Sequence, residues 1–178
     1  MSWRHLVNQL PLEFDPGLTD AEVEQVQQRF ELQFPPDLRA FLQTALPRGP
    51  QFPDWRAGPE ARLRDWLDQP RQGILFDVEY SDYWHPDWGI RPCMLDVALD
   101  VASEAVKAAP RLIPIFAHRM IPAEPHEAGN PVFSVYQTDI IFYGFDLADY
   151  LRHEFNLPGR KPWPQAIRPV RFWSYFVQ

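Results

Sequence analysis

The stretch Asn130–Leu151, NPVFSVYQTDIIFYGFDLADYL, is the part of the sequence that most constrains the fold. Two runs of β-forming residues, Val132–Tyr136 and Ile140–Tyr143, flank a short polar break, and this pattern predicts a β-hairpin. Asp146 is then placed to cap a short helix. Because both runs are apolar at consecutive positions, we expect the hairpin to lie at the centre of a sheet covered by helices.

Two helices are predicted near the start of the chain. Thr19 and Glu22 have the spacing of a capping box, which predicts a helix over about 20–30. Pro36 suits the first turn of a second helix, which we expect to end near Thr44. The preceding residues form a predicted arm whose apolar side chains pack on the body: Trp3, Leu6, Leu10 and Phe14.

The middle of the chain is predicted to contain two more helices and a strand. Pro59 begins a third helix, which Pro70 is expected to end because proline lacks a backbone donor. Gly73–Tyr80, GILFDVEY, has the composition of a strand. A fourth helix is predicted after Pro92, over about Cys93–Ala108, where apolar residues recur at helical spacing.

The remaining elements are predicted to be mostly strands. Arg111–His118 has the composition of a strand, and Met120–Ala128 is expected to be a loop or a short edge strand. The hairpin follows, with a helix over about Leu147–Phe155. The order of elements predicts an α+β fold with a mainly antiparallel central sheet flanked by helices.

The composition is that of a globular protein. The chain has 178 residues, of which 46% are apolar and 23% charged, and this suits one well-buried domain. We expect a single domain over 1–178, with an N-terminal arm at 1–17, a core at 18–157 and a C-terminal docking segment at 158–178. The aromatic spacing within Val170–Val177 favours a helix over a strand there.

Several classes of protein are disfavoured by the sequence. Cys93 is the single cysteine, and the first residues lack the apolar centre of a signal peptide, so we expect a cytoplasmic protein. No apolar run approaches the ~18 residues of a membrane span. A net charge of −7 disfavours binding to nucleic acid, whose phosphates require Lys and Arg. The basic, aromatic tail from Arg160 onward is therefore expected to dock on the acidic body.

The segment Tyr80–Trp88, YSDYWHPDW, is the first candidate site. It combines acids with aromatic side chains, and Trp and Tyr dominate the hot spots of protein interfaces. The predicted partner-binding residues are Asp82, Tyr83, Trp84, His85, Asp87 and Trp88, with His118 and Arg119 as a second rim. The alternative is that Trp84 and Trp88 fold inward as a lid over the core, because buried tryptophan is the ordinary case.

The loop His118–Gly129 is a second candidate site. Two histidines and two carboxylates there could ligate zinc or iron: His118, Glu124, His126 and Glu127. Their spacing matches no standard metal motif, and the alternative is an ordinary surface loop. We therefore expect no metal and no cofactor.

Catalysis is not predicted by any motif in the sequence. Cys93 lies at a predicted helix start, where a thiolate would be stabilised, but no base accompanies it. The chain contains no nucleophile elbow and no phosphate-binding glycine loop. We expect Cys93 to be a small, partly buried residue and the protein not to be an enzyme.

The N-terminal half contains a familiar pattern. Gly17–Gln43, GLTDAEVEQVQQRFELQFPPDLRAFLQ, resembles the N-terminal signature of the SUKH superfamily, in which an acidic helix precedes a proline turn and a Leu-x-x-Phe-Leu helix. Further along, Leu112–Phe116 and Asn130–Phe133 resemble two strands of that superfamily, and Asp149–Leu151 its last helix. The resemblance covers roughly 17–155. The loop in which many members carry a Gly-Asn or Gly-Asp motif is here 118–129, which departs from the usual pattern, and the connector 51–92 is longer than a minimal member needs.

The SUKH superfamily includes the yeast cell-wall-synthesis regulator and many bacterial immunity proteins that bind toxins, often nucleases. The resemblance implies a SUKH-like α+β fold, no cofactor, no catalysis and action through a protein partner. We therefore expect a non-catalytic protein-binding domain, and in its specific form an immunity protein that covers a basic toxin domain with an acidic, aromatic-edged surface.

Two alternatives stay open at this point. One is a small-ligand- or metal-binding domain, with or without enzymatic activity, that uses the loop containing His118 and His126. The other is a regulatory scaffold with no toxin role. The sequence does not determine the oligomeric state.

Overall fold

The computed structural model describes residues 2–177 and has an α+β fold, as predicted. The described helices are α1 Trp3–Val7, α2 Asp20–Phe30, α3 Pro36–Thr44, α4 Glu60–Tyr80, α5 Leu95–Lys107 and α6 Leu147–Glu154. The strands are β1 Phe14–Pro16, β2 Ala45–Pro47, β3 Leu112–Phe116, β4 Arg119–Pro122, β5 Val132–Tyr136 and β6 Asp139–Gly144. Short 3-10 turns lie at Pro86–Trp88 and Trp173–Tyr175. Within residues 2–177, no helix is both long and apolar enough to cross a lipid bilayer.

The main sheet is antiparallel, with the strand order β3-β4-β5-β6, and β1 and β2 form a separate small ribbon. The predicted hairpin is β5 and β6, joined by the two-residue turn Gln137-Thr138. Its predicted central place is wrong, because β6 lies at one edge of the sheet. β4 was predicted to be a loop or an edge strand and instead lies inside the sheet. The hairpin was predicted to be central because its strands are apolar at consecutive positions. In β6, however, burial alternates along the strand: Ile140 is buried, whereas Ile141 is exposed.

Helix α4 is the element that differs most from its prediction. Gly73–Tyr80 was predicted to be a strand after a helix that ended at Pro70, but α4 continues through Pro70 to Tyr80. Its buried face keeps helical spacing across the proline, from Trp66 through Ile74 to Val78. Burial of that face offsets the hydrogen bond that proline removes.

Gly73 lets α4 pass directly over the β5–β6 turn. A Cβ atom at this position would lie 2.8 Å from the Cα of Gln137, closer than real Cβ atoms come to backbone. The carboxylate of Asp77, one turn later, accepts hydrogen bonds from the Thr138 backbone N–H at 2.9 Å and from the Thr138 hydroxyl at 2.6 Å. The end of α4 is thereby fixed to the hairpin turn.

The helix starts predicted from capping residues are confirmed. Thr19 Oγ1 accepts the N–H of Glu22 at 3.2 Å, and the Glu22 carboxylate accepts the N–H of Thr19 at 2.8 Å. Asp146 accepts the N–H of Asp149 at 2.7 Å and begins α6. Pro36 is the first residue of α3, and α3 ends at Thr44.

Apolar side chains cover both faces of the sheet. On one face, Ile113, Ile121 and Val132 pack with residues of α2, α3 and α6 and with Leu6 and Leu10 of the N-terminal arm. On the other face, the side chains pack with those of α4 and the C-terminal residues. The sheet residues of this second cluster are Leu112, Met120, Phe133, Val135 and Ile140.

The C-terminal residues dock on the body through one aromatic turn. Trp173 is buried in the second cluster, and its indole N–H donates to the carbonyl of Pro110. The favoured helix at 170–177 is wrong, because the segment forms only the single 3-10 turn. Arg160 pairs with Asp149 at 3.3 Å and Arg168 with Glu127 at 3.4 Å, so the tail arginines lie on acids of the body.

Candidate functional site

Residues 81–94 connect α4 to α5 and contain most of the predicted site. His85 is the inner anchor of this connection, with only 3% of its surface exposed. Its ring centroid lies 3.9 Å from that of Tyr175, 5.5 Å from that of Trp88 and 5.7 Å from that of Phe172. The connection is therefore held against the docked C-terminal turn.

The surroundings of the His85 imidazole disfavour its protonated form. Its Nδ1 accepts the backbone N–H of Asp87 at 3.1 Å, and its buried Nε2 has no hydrogen-bond partner within residues 2–177. Burial lowers the pKa of His85 below its ordinary value of 6.5, although the Asp87 carboxylate acts in the opposite direction. A proton on this ring would place a charge inside an aromatic cluster.

We expect acid to destabilise the protein through His85. The folded state lowers the pKa of His85, so the unfolded chain binds more protons between the two pKa values. The contribution of neutral His85 to stability is therefore complete above about pH 6.5 and is lost as pH falls below 6.5 toward the lower pKa of the folded state. Chemical denaturation at pH 7.5, 6.5 and 5.5 should show the loss in the wild type and in His126→Gln, whose histidine is exposed. His85→Phe should show a smaller loss. An unchanged pH dependence in His85→Phe would contradict this role.

The predicted aromatic residues of the connection lie mostly inward. Trp84 is half-buried, donates its indole N–H to the carbonyl of Gly89 at 2.8 Å and packs edge-on against Trp88. Both tryptophans border a small cluster of Val78, Ala98 and Ala102 between α4 and α5. Tyr83 contacts Trp88 and Phe176, and burial raises the pKa of its phenol well above the ordinary value. These side chains form the lid that was the alternative prediction.

The two predicted acids of the connection lie on its outer side. The side chains of Asp82 and Asp87 are almost fully exposed, and Asp82 pairs with Arg91. Arg91 also donates to the carbonyl of Val78 at 2.7 Å, which fixes the connection against the end of α4. The acids are therefore presented to solvent by a backbone that is tied to the end of α4.

Exposed apolar residues accompany these acids, and the sequence analysis missed them. Ile90 is 96% exposed, Tyr80 is 67% exposed and Met94 is 63% exposed. Phe76 contacts Tyr80 one turn earlier, with 4.7 Å between the ring centroids. We call this region the outer surface; its apolar members are Phe76, Tyr80, Ile90, Met94, Leu95 and Val97. If 73–80 had been predicted to be a helix, Phe76 and Tyr80, which lie off its buried face, would have indicated the outer surface.

The two residues of the second predicted rim have different surroundings: Arg119 is half-buried, and His118 is exposed in a cavity. Arg119 is only 13% exposed: its guanidinium donates to Glu154 at 3.2 Å and lies 3.7 Å from the ring centroid of Tyr143. His118 lies in the β3–β4 turn and lines an open cavity of about 610 Å³ between that turn and α4. No residue of 80–88 lines this cavity, so the structure does not bring the two predicted groups together.

The histidines of the second candidate site also lie apart. His126 lines a different cavity, of about 410 Å³, with Glu31, Arg111 and Glu124. Within the described chain, no group of three or more His, Cys, Asp or Glu side chains is arranged to hold a metal ion. Cys93 was expected to be partly buried; it is exposed because α5 begins two residues later, at Leu95.

No family model matches the sequence, and neither the curated proteins nor the solved structures include a match to it.

Proposed function

We propose that this chain is a non-catalytic protein-binding domain of SUKH type and that it binds a basic protein partner through the outer surface. In its specific form, the proposal is an immunity protein that covers a basic toxin domain. The resemblance of 17–155 to the superfamily supports the class of protein. The exposed side chains around Ile90 support the location of the site.

The observation that carries the proposal is the exposure of Ile90 and its apolar neighbours in a fixed segment. Apolar side chains gain free energy when they leave water, at roughly 25 cal/mol per Å². Scattered apolar residues are ordinary on a protein surface, but a set gathered along the end of α4, the connection and the start of α5 is typical of an interaction site. The hydrogen bonds of Arg91 and Trp84 already order this segment, so binding would cost less conformational entropy.

The charge of the outer surface supports a basic partner. The exposed acids along this segment are Glu79, Asp82, Asp87, Asp96 and Asp100, and Arg91, the one basic side chain between Arg71 and Lys107, pairs with Asp82. A surface of this sign attracts a basic protein, raises the association rate and repels acidic competitors. Inhibition would then be steric: the domain covers the basic surface that the toxin needs for its own substrate.

We expect the variants Asp87→Lys and Ile90→Ser to weaken partner binding without loss of stability. Asp87→Lys reverses an exposed charge and should mainly slow association, whereas Ile90→Ser should mainly speed dissociation. The experiment places the chain in cells that also produce a basic toxin domain captured as its partner. It then measures survival and, with purified proteins, the association and dissociation rates.

Matched controls come from α2, on a different part of the molecule. Glu24→Lys and Gln25→Ser make the same kinds of change at exposed positions and should bind and protect as the wild type does. Equal protection by all four variants would contradict the proposed site. The variants of the outer surface could instead lose binding to a protein that is not toxic, while survival against the toxin is unchanged. That result would favour a regulatory scaffold.

The cavity of His118 supports a second candidate function, binding of a small ligand. This open cavity of about 610 Å³ has room for a small molecule, and His118, Trp66 and Gln137 line it. Metal analysis of the purified protein tests the metal-dependent form of this candidate. Stoichiometric zinc or iron that is lost in His118→Gln would place that function ahead of the first.

A further inference from the structure

The contact between the C-terminal turn and the connection from α4 to α5 is centred on one buried histidine. The ring of His85 packs against three aromatic side chains of the turn, with centroid distances of 3.9 Å to Tyr175, 5.7 Å to Phe172 and 5.8 Å to Phe176. Tyr83 adds a further contact, 5.8 Å from Phe176. These rings hold together two segments that are distant in sequence.

The hydrogen bonds of His85 suit a neutral ring and oppose a protonated one. Nδ1 accepts the backbone N–H of Asp87 at 3.1 Å, so the proton of the neutral ring is on Nε2. A second proton would go to Nδ1, break this hydrogen bond and set two donors against each other. Nε2 has no hydrogen-bond partner within residues 2–177 that would stabilise the added charge.

The charged group that acts on this ring is Asp87, and it lies on the solvent side. Its Oδ2 is 4.0 Å from Nδ1 of the imidazole, and its side chain is 88% exposed. The titratable side chains that pack near the ring are the phenols of Tyr83 and Tyr175. Arg171, next to the turn, is bonded to the carbonyl of Ala108. A protonated ring would therefore be more stable outside the cluster, toward water and the carboxylate.

Two unsatisfied polar atoms lower the cost of opening this contact. The hydroxyl of Tyr83, like Nε2 of His85, is buried without a hydrogen-bond partner in the described part of the chain. Both atoms would regain hydrogen bonds to water if the contact opened. The neighbouring structure is anchored separately, because Arg91 is bonded to the end of α4 and Trp173 is packed in the second cluster. Opening can therefore be confined to the residues between these anchors.

We propose that His85 is a pH-sensitive switch: its protonation opens the contact between the connection and the C-terminal turn while the sheet and the other helices stay folded. Opening frees the backbone that carries Asp87 and Ile90, so the order of the outer surface depends on pH. This behaviour belongs to the chain alone and does not depend on the proposed function. The competing explanation is that the ring stays neutral in its cluster until the whole domain unfolds.

Hydrogen exchange followed by mass spectrometry at pH 7.5 and 5.5 tests the proposal, with rates corrected for the intrinsic effect of pH. An open form in which His85 has the ordinary pKa of 6.5 is favoured at most about tenfold more at pH 5.5 than at pH 7.5. We expect the protection of 81–90 and 172–177 to fall by up to this factor and that of 20–30, in α2, to stay unchanged. An equal fall in all three segments, or no fall in any, would overturn the proposal.

Two substitutions remove the proton acceptor in different ways. His85→Phe keeps an aromatic ring in the cluster, and His85→Asn keeps an oxygen that can accept the N–H of Asp87. The added exchange at pH 5.5 should disappear in both variants. His126→Gln, which removes an exposed histidine, should behave as the wild type does. The proposal fails if either variant of His85 retains the pH-dependent exchange of 81–90 and 172–177, or if His126→Gln abolishes it.

Discussion

Replacement of Trp173 with alanine is expected to lower the free energy of unfolding by about 3–5 kcal/mol, as for other large buried aromatic residues. Trp173 is 2% exposed, packs with Phe172 and Phe176 and donates its indole N–H to Pro110. The same cluster holds His85, so the variant should also loosen the connection between α4 and α5. Partner binding should therefore weaken together with stability.

Urea denaturation followed by circular dichroism measures this effect. Trp163→Ala is the matched control, because Trp163 lies in the same C-terminal segment but is 44% exposed. The control should change the free energy of unfolding by no more than about 0.5 kcal/mol. Similar values for the two variants would mean that the C-terminal turn does not contribute to the core.

Replacement of Asp77 with alanine is expected to cost about 3 kcal/mol, because a buried carboxylate and its hydrogen bonds are lost together. The carboxylate accepts two hydrogen bonds from Thr138 and a third from the Ser81 hydroxyl at 3.2 Å. Without it, the backbone N–H of Thr138 has no acceptor at a partly buried turn. The end of α4 would then separate from the hairpin.

A double-mutant cycle with Thr138→Val tests the contact itself. The effects of Asp77→Ala and Thr138→Val should be less than additive, because both remove the same hydroxyl hydrogen bond. Asp65→Ala, at an exposed position of the same helix, should be nearly neutral. Additive effects in the cycle would show that Asp77 stabilises the fold by another route.

The parts of the fold that the sequence predicted correctly are those with local signals. Thr19 and Glu22 determine the start of α2 through bonds that span three residues, and Asp146 does the same for α6. The β5–β6 hairpin is also local, since its register follows from a two-residue turn. Its place at the sheet edge is not local, because it depends on whether another strand pairs with β6.

Helix α4 shows why a local signal can mislead. Pro70 is a helix breaker on average, and Gly73–Tyr80 is rich in β-forming residues. The burial of Trp66, Ile74 and Val78 on one face overrides both preferences, and this burial depends on residues distant in sequence. Because 73–80 was predicted to be a strand, the exposed positions of Phe76 and Tyr80 on the outer side of α4 were not predicted.

Within 80–88, the structure places the acids and most of the aromatic side chains on opposite sides of the connection between α4 and α5. Aromatic composition marked 80–88 as unusual, yet His85 faces the C-terminal turn, and the position of that turn is given by no local pattern. The acids Asp82 and Asp87 do lie outside. Ile90 has no distinguishing sequence signal, because an isolated isoleucine in a loop is more often buried.

Site-specific photocrosslinking from position 90 tests the outer surface most directly. Ile90 and, as a control, Gln25 are each replaced with p-benzoylphenylalanine, and the two proteins are irradiated in cells that produce the partner. We predict a covalent adduct of one basic protein from position 90 and none from position 25. An adduct with the same protein from position 25 and none from position 90 would contradict the proposed site.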